Sequence, residues 1–76
     1  MLPDEINGAR VLRSAESRDS EAPWVVICET ESASLRYFIV SLVTRAGHRI
    51  DETYHVRYAT ALEDFRARCA KPPPTT

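Results

Sequence analysis

Glycine is nearly missing from this chain, with Gly8 and Gly47 the only two among 76 residues. Cradling a phosphate in backbone takes several glycines close together, so neither a dinucleotide fingerprint nor a P-loop fits here. Long apolar runs are also absent. The longest, Trp24 to Cys28, is far short of the ~20 residues that cross a bilayer as a helix. No charge of one sign dominates: ten basic residues face eleven acidic ones, for a net charge of -1. That balance gives no general pull toward nucleic acid or an anionic membrane.

The residues that carry chemistry are just as sparse. Cys28, Cys69, His48 and His55 are the only soft or borderline metal ligands. None forms the close Cys or His pair that a structural zinc site draws on, so neither a metal nor a cofactor is expected. Cys28 falls in an apolar strand and Cys69 near a helix C-terminus, and neither place favours a thiolate. Asp51-Glu52 and Glu63-Asp64 are sequence neighbours on solvated elements, whereas acid–base work needs carboxyls converging on one cleft. The expectation is a protein that is not an enzyme and takes no small-molecule substrate. Met1 to Asn7 carries acids and lacks the apolar core of a leader. A cytoplasmic protein with reduced thiols and no membrane contact is therefore expected.

What is present suits one small domain. Apolar residues make up 43% of the chain, a globular share. Residues 1–71 read as a single α+β unit, opened by a lead-in over 1–8 and followed by a Pro-rich tail at 72–76. Pro3 and Asn7-Gly8 are turn formers. Ala9 to Glu16 reads as an edge strand. Ser17 to Ala22 reads as a loop and Trp24 to Glu31 as a β-branched strand. Ser32 to Ser34 is a turn, and Leu35 to Arg45 is a strand apolar on both faces. Ala46-Gly47 fits a hairpin turn. His48 to Tyr58 alternates, with Ile50, Tyr54, Val56 and Tyr58 on one side and a polar row on the other.

A helix closes the chain. Thr60 and Glu63 have the spacing of a capping box. Ala61, Leu62, Phe65 and Cys69 recur at helical spacing as an apolar stripe. Arg66, Arg68 and Lys71 sit toward its negative end, and Pro72 stops it. The predicted fold is a small antiparallel β-meander of three to four strands packed against one C-terminal α-helix. The stripe is expected on the face of Ile50, Tyr54, Val56 and Tyr58. The segment from Arg36 to Leu42, followed by Ala59 to Phe65, resembles the rhythm of small sheet-plus-helix modules such as the WGR domain. The Trp-Gly-Arg signature of that domain is absent, so no residue role follows from the resemblance.

Two surfaces stand out. Trp24, Val26, Phe38, Val40 and Leu42 read as part of a second apolar sheet face, beyond what one helix covers. Monomers rarely leave such a patch open, so either residues 1–16 fold over it or another chain does. Trp24, Phe38 and Leu42 are the expected partner-binding residues, with arginines at the rim. On this reading the chain is a small interaction or regulatory protein that docks on a protein partner or on itself as a homodimer. Phage-type inhibitors are of this kind. The alternative is a nucleic-acid-binding module, with Arg45, Arg49, His55 and Arg57 along one polar strand face.

Overall fold

A computed structural model describes residues 2–17 and 20–70. Its elements are β1 (Glu5–Ile6), β2 (Ala9–Glu16), β3 (Trp24–Ser32), β4 (Leu35–Val43), β5 (Arg49–His55) and α1 (Tyr58–Ala70). The strands form one curled antiparallel sheet in the order β1-β2-β3-β4-β5. There are five strands, not three to four. The extra one is β1, which Asn7 and Gly8 fold back on β2 with both φ angles positive, at 51° and 83°. That is the geometry of a two-residue hairpin turn matched to strand twist. The tail 72–76 and the Lys71 position lie outside the described residues.

Every link in the meander is short. Ala33 and Ser34 turn β3 into β4 with φ of 49° and 70°. Gly47, at φ 89°, ends the turn between β4 and β5, where its N–H donates to the Thr44 carbonyl at 2.9 Å. Ser17 donates to the Pro23 carbonyl at 2.7 Å and so closes the β2–β3 link.

Side chains alternate across the sheet, so register sorts the core into two clusters. One face carries Val25, Ile27, Phe38 and Val40, and α1 covers it with Ala61 and Phe65. Ala15, Leu42, Leu62 and Cys69 pack around that cluster. The other face carries Val26, Cys28, Ile39 and Val43, and the N-terminal hairpin lies against it with Ile6 and Ala9. Leu2, Val11, Trp24 and Tyr37 complete this second cluster. The expected second face is therefore split: Phe38, Val40 and Leu42 lie beneath α1, and Trp24 and Val26 lie on the other side, against the N-terminal residues 2–11.

The helix lies on the face opposite Tyr54, so the expected row of Ile50, Tyr54, Val56 and Tyr58 is split between the two faces. The cause is a bulge in β5. Val40 pairs with Thr53 but Leu42 pairs with Ile50, so β5 holds one extra residue there. Asp51, at φ 53°, takes up the irregularity. Ile50 is thereby moved to the helix side, while Tyr54 stays opposite Ile39 on the other. The helix also starts earlier than its capping box implies. Tyr58 is its first residue, and Ala61 N–H donates to the Arg57 carbonyl at 3.1 Å. Thr60 lies inside the first turn, so Thr60 and Glu63 form no capping box.

Candidate interaction surface

α1 meets β5 through polar groups. His55 Nε2 lies 2.8 Å from Asp64 Oδ2. Arg68 Nε donates to Asp64 Oδ1 at 3.2 Å, Nη1 to the Asp51 carbonyl at 2.7 Å, and Nη2 to Thr53 Oγ1 at 2.5 Å. Burial pushes the Asp64 carboxyl up. The hydrogen bonds from His55 and Arg68 outweigh that and hold it below the usual carboxylate range. The polar row of β5, read from sequence as a wet face, is thus partly roofed by the helix.

A second polar group lies within the opposite face. Arg49 Nε lies 3.1 Å from Glu52 Oε2, off-line for a hydrogen bond, and the Arg49 side chain is only 13% exposed. Its Nε and Nη1, and Ser41 Oγ, are buried and have no hydrogen-bond partner among the described residues. Burial raises the pKa of the nearby Cys28 thiol, and the Arg49 guanidinium opposes that rise. Burial alone raises Cys69. Both thiols are disfavoured as nucleophiles. Among the described residues no three His, Cys, Asp or Glu side chains converge as metal ligands.

The four cations of the nucleic-acid alternative do not share a face. Arg49 pairs opposite Val43, on the side of the N-terminal hairpin, and His55 pairs opposite Phe38, on the helix side. Arg45 is in the β4–β5 turn, where its Nε donates to the Ser20 carbonyl at 3.1 Å. Arg57 is exposed between β5 and α1.

The three expected partner-binding residues are separated as well. Phe38 is 9% exposed, is part of the core beneath α1, and meets the Tyr58 ring edge-on at 5.5 Å. Leu42 packs against the same cluster. Trp24 is half-buried on the opposite face, beside a shallow groove lined by Leu2, Ser14, Ala15, Glu16 and Trp24. Trp24, Phe38 and Leu42 therefore make no common patch.

The large apolar side chains left exposed are others, and they fall on both sides of the sheet. Leu35 is 53% exposed, Tyr54 58% and Val56 69%, and Ile50 and Tyr58 are also open. Leu35 begins β4, and the other four lie on β5 or the few residues after it. Tyr37 stacks obliquely on Tyr54 with ring centroids 5.8 Å apart. Among the described residues β5 has β4 as its one strand neighbour, and no other described strand pairs with its outer edge. Asp51, with a 74% exposed side chain, and Arg57 flank this rim. The residues assigned to the core by alternation are thus the exposed ones. Only an irregular φ at a non-glycine residue, which alternation does not report, would have exposed the swap.

Family models, curated proteins and solved structures were all compared with the chain, and none matches it. No helix among the described residues is long and apolar enough to cross a membrane.

Proposed function

We propose that this chain is a non-catalytic interaction protein, a small regulator that docks on a macromolecular partner through the rim of β5. One observation carries the reading. Tyr54 and Val56, on or just after β5, stand open beside an edge that no other described strand pairs, with Leu35 exposed at the start of β4. Exposed apolar residues scattered singly need no explanation, but Tyr54 and Val56 stand two residues apart beside an open edge, as a contact surface would have them. An open edge also offers main-chain hydrogen bonds to an incoming strand, with the alternate side chains setting specificity.

Photo-crosslinking in the native host tests this. A photoreactive side chain at Tyr54 should trap a defined partner, and the same group at Glu63 on the exposed side of α1 should not. Equal or no trapping at the two positions would remove the β5 rim as the docking surface.

A further inference from the structure

We infer that residues 2–8 are a strap that opens on its own, baring the apolar face of Val26, Cys28, Ile39 and Val43 while β2 to β5 and α1 stay folded. The strap is at the edge of the sheet remote in strand order from β5, so the inference stands apart from the β5 rim. Among the described residues β1 pairs with β2 alone, Glu5 with Arg10 and Ile6 with Ala9. The Val11 N–H extends this pairing by donating to the Asp4 carbonyl at 2.8 Å. β2 does not need the strap in return, because it pairs with β3 from Arg10 to Glu16. The cluster beneath α1 takes no residue from the strap, so that core stays whole when the strap leaves.

Little anchors the strap. Ile6 is buried and Leu2 half-buried, while Pro3, Asp4, Glu5, Asn7 and Gly8 are exposed. Closing it orders the backbone at every one of these positions, and the burial of two apolar side chains is the main opposing gain. The covered face also holds polar groups that closure keeps from water. Ser41, fully buried between Ile39 and Val43, has no hydrogen-bond partner for its Oγ among the described residues. The same holds for Nε and Nη1 of Arg49, which pairs opposite Val43. Burying such groups opposes closure, so opening costs less than the apolar contacts alone imply. Proteins open locally where buried apolar contacts are few and the backbone bonds lie at the surface, and the strap has both properties.

Alkylation of Cys28 by N-ethylmaleimide, in the full chain carrying Cys69→Ala, tests this, because Cys28 is fully buried in the cluster that Ile6 and Leu2 cover. Alkylation should run faster than global unfolding allows. It should change little with urea below the unfolding transition, since the urea slope follows the surface exposed. Gly8→Ala strains the turn at φ 83° without a clash, as no atom lies within 4 Å of the added Cβ, and should speed alkylation about tenfold. Leu62→Ala loosens the cluster on the other face and lowers global stability, yet should leave the rate without urea unchanged. Circular dichroism establishes that each variant is folded, and if Leu62→Ala is not, the urea slope and Gly8→Ala still decide. Alkylation with the urea dependence of global unfolding would overturn the inference. So would a rate indifferent to Gly8→Ala, or one that Leu62→Ala raises as much as Gly8→Ala does.

Discussion

Ala33 and Ser34 hold positive φ, at 49° and 70°, in the turn between β3 and β4. An L-residue there brings its Cβ too close to the backbone, at roughly 1–2 kcal/mol per residue. Asparagine followed by glycine suits such a turn best, as Asn7-Gly8 already illustrates in this chain. The double variant Ala33→Asn, Ser34→Gly should raise unfolding free energy by about 1 kcal/mol, part of the relief being offset by the looser unfolded chain. That corresponds to a melting temperature roughly 4–8 °C higher for a domain this size, measurable by calorimetry. Phe38 marks the other extreme. Buried beneath α1, its replacement by alanine should cost about 3–5 kcal/mol, enough to unfold much of a domain this small. Val56→Lys on the exposed rim should stay within about 0.5 kcal/mol of wild type by denaturant titration. A comparable loss in both variants would contradict the assignment of inside and outside.

Among the elements, α1 is held to β5 by Asp64, His55 and Arg68, while its Phe65 packs on β3 and β4. Asp64 has a depressed carboxyl pKa in the folded chain. Its contribution is present above the ordinary carboxylate pKa and is lost as pH falls through the folded value. Asp64→Asn should therefore flatten the acid limb of the stability profile, as read by urea titrations across pH. Arg68→Ala removes bonds to Asp64, Thr53 and the Asp51 carbonyl together, and should cost about 2 kcal/mol or more. Much of this level was legible in the residues. β2 spans the predicted Ala9–Glu16, β3 and β4 start where predicted, and Ala61, Leu62, Phe65 and Cys69 do face the sheet. The β1 hairpin was signalled by Asn7-Gly8, but its two-residue strand is too short for a periodicity to register. The helix start escaped because Thr60 and Glu63 imitate a cap, while the chain turns helical at Tyr58 through the Arg57 carbonyl.

At the scale of the molecule, the question is which apolar surface remains open after folding. Counting apolar residues correctly implied two covered faces, since Val25 and Ile27 point one way and Val26 and Cys28 the other. Residues 2–11 supply the second cover, leaving Trp24 half-buried. The exposed apolar rim of β5 was not legible for the same reason that the helix face was not. Strict alternation groups Ile50 with Tyr54 and Val56 and places them all inside, whereas one left-handed residue at Asp51 breaks the count.

That residue ties two parts of the chain together. The Asp51 carbonyl, on the edge strand, is held by a guanidinium from the last turn of α1. Straightening the bulge would break this bond, and fraying of the helix end would release the bulge. Events at the edge and order at the helix terminus are therefore thermodynamically linked and reciprocal. An occupant that needs the bulge intact should slow amide exchange in the last turn of α1, while one that flattens it should speed that exchange, although neither touches the helix.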